Sequence, residues 1–220
     1  MGTTKEREAK RALALEKEKE RMWQLFSYER EYGSYHAICG IDEAGRGPLA
    51  GPVVAGAVIL PKNCDILYIN DSKKLSEKKR ELLYDEIMAK AVAVGTGIVS
   101  WERIDQINIL QATYEAMRQA IEKLSVPPDL LLNDAVLIPG VAVRQVPIVK
   151  GDAKSASIGA ASIIAKVTRD RLMMEYHQMY PEYGFDAHKG YGTKAHIEAL
   201  RTYGPCPIHR RTFIGHFVEL

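Results

Sequence analysis

The 220-residue chain is short of several things, and each shortage removes a class of protein. It has three cysteines, Cys39, Cys64 and Cys206, odd in number and scattered without metal-ligand spacing. That argues against a disulfide-stapled fold and suits free thiols in a reducing cytosol. No apolar run is long enough to span a bilayer, and the first residues lack the apolar core of a signal peptide, so we expect a cytoplasmic protein without membrane contact. Neither sign of charge dominates. Thirty Lys and Arg face 28 Asp and Glu, a formal net charge of +2. The balance is uneven, because residues 150–211 hold ten basic against six acidic side chains, a local +4 that leaves the remainder at −2. This suits a polyanionic partner without requiring one. What is present is enough apolar material, 46% of residues, for one large α/β domain and an appendage.

The strongest local signal is Ile38-Cys39-Gly40-Ile41-Asp42-Glu43-Ala44-Gly45-Arg46-Gly47-Pro48-Leu49-Ala50-Gly51. Its apolar start reads as a buried strand that switches abruptly to two carboxylates and then to a glycine-punctuated turn with one arginine. Successive strand side chains face opposite ways, so Asp42 and Glu43 can serve one site only if the strand ends or bulges beside Ala44-Gly45. Two ionised carboxylates about 4 Å apart at an effective dielectric near 20 repel by roughly 4 kcal/mol, so a close pair implies a cation, a shared proton or solvent. Gly45, Gly47 and Gly51 free the backbone for close approach, and Arg46 offers a fork suited to phosphate. This is not a nucleotide-phosphate loop, since no Gly-Lys-Ser/Thr follows and acids precede the glycines. A solvated strand end is the plainer alternative.

Upstream, residues 1–32 are nearly all helix formers, with eight basic side chains against seven glutamates and a thin stripe of Leu13, Leu15, Met22, Leu25 and Phe26. We expect a solvated helical extension over residues 1–34, a nucleic-acid arm being the sharper alternative. Downstream, residues 52–61 read as a second strand, antiparallel to the first. Lys73 and Lys74 either touch a phosphate backbone or stay solvated. They precede a helix that Ser76 caps and that runs to about Lys90, with Leu82, Leu83, Ile87 and Met88 on its core side. A third strand over 92–100 leads into a long helix with Leu110, Tyr114, Met117, Ile121 and Leu124 at helical spacing, Tyr114 and Met117 in the core.

Residues 129–135 and 145–149 give two more apolar strands. The first ends in Asp134; the second runs into Lys150-Gly151-Asp152-Ala153-Lys154-Ser155, another strand-end acid, flanked by lysines. Sheets with parallel strands gather such ends along one edge, so Asp42, Glu43, Asp134 and Asp152 read together as a carboxylate cluster. Ser155 or Ser157 caps a helix running to about Met179, whose Ala156, Gly159, Ala160, Ala161, Ser162 and Ala165 suit close packing on the sheet. Asp170, among basic neighbours, reads as structural rather than as a fifth acid. Tyr191, between two glycines, either presents its ring to a sugar or base or sits half-buried in its loop. Thr193 caps a short helix closed by Gly204, and His209-Arg210-Arg211 either meets phosphates or solvates the tail. The remaining histidines lack ligand spacing, which argues against zinc.

Gly40-Ile41-Asp42-Glu43-Ala44-Gly45-Arg46-Gly47-Pro48, Asp71-Ser72-Lys73, Asn133-Asp134, Lys150-Gly151-Asp152, the run from Ala160 through Lys166-Val167-Thr168-Arg169-Asp170, and His188-Lys189-Gly190-Tyr191-Gly192-Thr193 together resemble bacterial ribonuclease HII. The resemblance covers roughly residues 35–220, the expected catalytic domain, with the motifs in order. It implies an RNase H-like α/β fold: a mixed central sheet flanked by helices, with a small C-terminal helical part. It implies that Asp42, Glu43, Asp134 and Asp152 are the catalytic acids and hold Mg²⁺ or Mn²⁺, ions that prefer oxygen ligands. It also implies that the Gly45, Arg46 and Gly47 turn contacts a ribonucleotide's 2′-hydroxyl and adjacent phosphates through its backbone, while Tyr191 stacks on the neighbouring deoxyribose. Lys73, Lys150 and Ser155 complete the expected substrate contacts.

The activity so implied is two-metal hydrolysis 5′ of ribonucleotides, in RNA/DNA hybrids and singly embedded in duplex DNA, leaving a 3′-hydroxyl and a 5′-phosphate. Ribonucleotide removal and primer degradation follow as roles, by a monomer, for no oligomerisation signal stands out. Three alternatives differ in what they leave unexplained. A ribonuclease HIII-like enzyme, confined to hybrids, would carry a larger N-terminal domain. A non-catalytic nucleic-acid-binding module leaves four sheet-end acids without a purpose, and a phosphotransferase lacks its nucleotide loop.

Overall fold

The computed structural model describes residues 4–218; residues 1–3 of the expected extension and 219–220 of the expected catalytic stretch lie outside them. Helices α1 (Thr4–Leu25) and α2 (Ser27–Glu31) lead into β1 (Ile38–Ala44), β2 (Val53–Ile59), α3 (Glu77–Lys90), β3 (Ala93–Val99) and α4 (Trp101–Glu122). β4 (Leu130–Asp134), β5 (Arg144–Ile148) and α5 (Ala156–Met179) follow, and α6 (Phe185–His188), α7 (Lys194–Tyr203) and α8 (Arg211–Ile214) form a small C-terminal helical part. Side-chain caps fix where the longer helices begin: the hydroxyls of Ser76, Ser155 and Thr193 accept from the amides of Lys79, Ile158 and His196.

The strands form one mixed sheet in the order β3-β2-β1-β4-β5. β1 and β2 are antiparallel, as are β2 and β3, whereas β1, β4 and β5 run parallel. The parallel half brings the carboxyl ends of β1, β4 and β5 to one edge. Alternation along β1 and β2 divides the core. Cys39, Ile41, Val53, Ala55 and Ala57 pack with Ala112, Ala116, Met117 and Ala120 of α4, while Val58 joins Ala160, Ile163 and Ile164 of α5 and Leu83 and Ile87 of α3. Helix α5 lies so close to β1 that a Cβ at Gly40 would sit 2.0 Å from the backbone of Ser157. Only glycine permits that approach, and the helix's small residues permit it from the other side.

Three expectations need correcting. The core side of α3 is Leu83 and Ile87; Leu82 and Met88 face water, 62% and 49% exposed. Helix α4 is broken at Asn108, whose φ of 67° leaves the helical region and whose side chain accepts from the amides of Leu110 and Gln111, capping the second part as if it were new. Leu110, just past that break, is exposed, while Met117 is buried and Tyr114 packs on the core. Finally, the described part of the N-terminal extension is helical, but of its apolar stripe only Leu13 and Leu15 face solvent. Met22 and Leu25 are buried against α3 and α5, and Arg21 donates to the Ile69 carbonyl at 2.8 Å. Glu29 accepts from the Ser155 hydroxyl at 2.6 Å and the Ser157 amide at 2.8 Å, a carboxylate at the start of α5.

Candidate active site

β1 continues past its acids: Asp42, Glu43 and Ala44 pair in unbroken register with Gly56, Ala55 and Val54. Of the two expected ways of bringing Asp42 and Glu43 to one site, no bulge is present, but the strand ends at Ala44, directly after them. β4 stops pairing with β1 earlier, at Asn133 opposite Ile41, leaving Asp134 beside the end of β1 that it leaves unpaired. Asp42, only 6% exposed, points toward α5, where the Ser162 hydroxyl donates to it, and its own Oδ1 accepts the Glu43 amide at 2.7 Å. Burial, then the Glu43 charge, push the Asp42 carboxyl well above the usual range, with Asp134 adding to the rise. Burial likewise raises Glu43, although Arg46, 3.2 Å away, opposes it.

Asp152 enters from the 3-10 turn Gly151–Ala153 that follows β5. Asp134 ties this turn to the sheet by accepting the Gly151 amide at 2.7 Å. Burial raises the Asp152 carboxyl, and so do the neighbouring charges of Asp71 and Asp134. The acid beyond the expected four is therefore Asp71, which also caps the 3-10 turn Ser72–Lys74 by accepting the Lys73 amide at 3.0 Å. The Lys73 charge acts on Glu43 and Asp152 and partly opposes the rise of both. Asp170 is structural, as expected, paired with Lys166 at 2.6 Å and with Arg80 at 3.9 Å.

Over these acids lies the turn 45–52. Gly45 adopts φ 96°, and a Cβ there would sit 2.2 Å from the Arg169 Nε beneath it. A Cβ at Gly47 would lie 3.8 Å from the ring of Tyr191, which is 42% exposed, so turn and ring share one open surface. The Tyr191 carbonyl is held by His196, whose Nδ1 donates at 2.9 Å; His196 Nε2 lies 3.0 Å from His209 Nε2, and His209 Nδ1 accepts the Cys206 amide at 3.0 Å. Burial pulls both histidines down to about 4, so they are neutral near pH 7. His209 and Arg210 are thus interior groups, neither phosphate ligands nor tail solvation.

The ribonuclease HII family model matches residues 39–216, the span holding every one of these groups. The chain belongs to the ribonuclease HII family. Ribonuclease HII of Lachnoclostridium phytofermentans is 66% identical over 205 residues, covering 93% of this chain and 81% of the relative. That of Caldanaerobacter subterraneus subsp. tengcongensis is 56% identical over 207 residues, 93% of this chain and 86% of the relative. The crystal structure of ribonuclease H2 from Pyrococcus horikoshii superposes with a TM-score of 0.67 at 31% identity, over 80% of this chain and 93% of that one. As a ribonuclease HII, the chain is a metal-dependent endoribonuclease of the type 2 ribonuclease H class, a class that acts on RNA/DNA hybrids.

A ribonuclease HII needs a divalent cation, and the donor set fits one. It consists of carboxylate oxygens only, crowded and partly buried so that their charges repel. The side chains nevertheless engage other partners here, Glu43 with Arg46 and Asp134 with the Gly151 amide, and among the described residues no three His, Cys, Asp or Glu close on one point as a metal-holding group. Of the expected substrate contacts, Lys150 is exposed at the mouth of the Asp152 turn, in the left-handed region at φ 58°. Ser155 is a correction. It is fully buried, its hydroxyl donating to Glu29 and accepting from Ile158, so it caps α5 instead of facing a substrate. Ser162, expected only to pack, also bonds the Ser72 hydroxyl at 2.9 Å and so links the Lys73 loop to Asp42. Asp71 and Arg169 lie within the motifs that carry the resemblance, but no spacing gives them, His196 or Arg210 the roles they have here, because their partners are backbone atoms or residues far away in the chain.

Proposed function

We propose that this ribonuclease HII cleaves the phosphodiester on the 5′ side of ribonucleotides, both in RNA/DNA hybrids and singly within duplex DNA, leaving a 3′-hydroxyl and a 5′-phosphate. The observation that carries the reading is the gathering of strand-end acids under a glycine turn whose Arg46 and Gly47 stay exposed. Asp42, Glu43, Asp134 and Asp152 would hold two Mg²⁺ or Mn²⁺ ions, for which Glu43 would have to leave Arg46. Bound there, the cations supply activation of water and neutralisation of the departing oxygen.

The remaining steps belong to the chain itself. Gly47 lets the turn's backbone approach the 2′-hydroxyl, the group that separates RNA from DNA, where a side chain would block it, while Gly45 at φ 96° leaves room for Arg169 beneath the turn. Tyr191 offers its exposed ring to the adjoining sugar, and Arg46, released from Glu43, with Lys73 and Lys150, meets phosphates. Residues 35–220 act as the catalytic domain, with residues 1–34 an attachment whose described helices are fastened through Met22, Leu25 and Glu29. The protein works as a cytoplasmic monomer in removing ribonucleotides from DNA and degrading RNA primers.

The test is a labelled DNA duplex containing one ribonucleotide, incubated with Mg²⁺, Mn²⁺ or chelator beside an all-RNA/DNA hybrid. A metal-dependent cut mapped immediately 5′ of the lone ribonucleotide is expected. Cleavage of the hybrid alone would replace this reading with a ribonuclease HIII-like specificity.

A further inference from the structure

Arg169 and Arg210 are the largest fully buried side chains of the protein, and neither has a carboxylate within ion-pair distance among the described residues. Each is instead surrounded by main-chain oxygens. Arg169 donates to the carbonyls of Pro52, Ala50 and Lys189 at 2.9, 3.0 and 2.9 Å. Arg210 donates to Gly45 at 2.6 Å, Gly51 at 2.9 Å, Arg46 at 3.0 Å and Pro52 at 3.2 Å. Its own amide donates to the Leu49 carbonyl at 2.9 Å. A buried cation is costly unless hydrogen-bonded, and here the turn's carbonyls are the compensation.

This arrangement has a directional consequence. In a trans peptide unit the C=O and the following N–H point in opposite directions. The chain has no cis peptides among its described residues, so fixing the Gly45 carbonyl inward sends the Arg46 amide outward, and fixing the Arg46 carbonyl inward sends the Gly47 amide outward. Neither amide donates to another group among the described residues. Gly47 in turn lies beside the exposed Tyr191 ring.

We propose that Arg210 is a positioning residue for ribonucleotide recognition: its guanidinium holds the Gly45 and Arg46 carbonyls on the inner side of the turn, and so aims the Arg46 and Gly47 amides as paired donors for the ribonucleotide's 2′-hydroxyl. The inference rests on the reading of this turn as the 2′-hydroxyl reader. Lysine cannot replace Arg210, because an ammonium is a point donor and cannot reach all four carbonyls that the guanidinium fork reaches.

The experiment measures equilibrium binding of two duplexes identical but for one ribonucleotide, in chelator so that no turnover occurs, for the wild type and Arg210→Lys. The wild type should prefer the ribonucleotide duplex. In Arg210→Lys that preference should fall about five- to tenfold, the scale of one lost hydrogen bond, while affinity for the all-DNA duplex stays within about twofold. A merely structural loss would lower both affinities together and leave their ratio unchanged. A wild-type preference retained in Arg210→Lys overturns the inference alone; a wild-type ratio of one overturns the reading of the turn and the inference with it. Amide exchange in the wild type gives a test independent of whether the variant folds. The Arg46 and Gly47 amides should be protected by the ribonucleotide duplex and not by its all-DNA counterpart, and equal protection by both contradicts the proposal.

Discussion

Asp42 and Arg210 are both buried, ionisable and close to the same turn, yet their surroundings differ in kind. The carboxylates at the ends of β1, β4 and β5 face one another, and burial with mutual repulsion raises three of them. The two arginines hydrogen-bond through their side chains only to carbonyl oxygens, although burial lowers both and the Arg169 charge adds to the lowering of Arg210. One region is complete within the chain; on the proposed reading the other is completed by a divalent cation. A site that must take up a cation keeps its negative charge unbalanced, whereas a scaffold that must hold a turn still leaves nothing to exchange.

The sharpest break of this contrast is Asp134→Asn, which removes one acid without changing shape. We expect cleavage to fall by about 10²–10³-fold or more, the scale for losing one preorganised electrostatic contact, with the circular dichroism spectrum and duplex binding intact. Unimpaired turnover would take Asp134 out of the site. On the other side, Arg169→Met should destabilise the fold, since the Ala50 and Lys189 carbonyls lose their side-chain donor. The expected cost is about 1–3 kcal/mol for each carbonyl left unpaired, read from the denaturant midpoint.

Asp42→Asn is expected to have the opposite sign. In chelator it should stabilise the protein by on the order of 1 kcal/mol, because it removes a buried like charge, while abolishing activity. The smallest effect concerns pH. His196 and His209 bind protons more weakly folded, at about 4, than the ordinary 6.5. Their contribution to stability is therefore complete above about pH 6.5 and is lost as pH falls toward 4, when the unfolded chain takes up protons that the folded chain refuses. A His196→Gln variant should lose stability at pH 7 and show a flatter decline between pH 6.5 and 4 than the wild type.

The same contrast separates what was legible in the sequence from what was not. Strand ends announce themselves locally: the apolar runs before Asp42 and Asp134 and the lysines around Asp152 all lie within a few residues of the acids they mark. The five strands, the order of helices and the serine caps were readable for the same reason. Arg210 was not, since it acts on carbonyls some 160 positions upstream and a carbonyl carries no residue identity. Ser155 was misread because its partner, Glu29, belongs to a segment whose charge pattern gave no sign of docking. The break at Asn108 lay hidden inside a helical periodicity that continues on both sides of it.

The central claim is that the acids form an incomplete region that a divalent cation completes. Calorimetric titration of Mn²⁺ into the wild type and Asp134→Asn, each first freed of metal with chelator, tests it most directly. We predict saturable binding to the wild type with a matching rise in melting temperature, and binding weakened at least about tenfold in Asp134→Asn. Equal Mn²⁺ affinity in the two proteins, or no rise in melting temperature for either, would contradict the account.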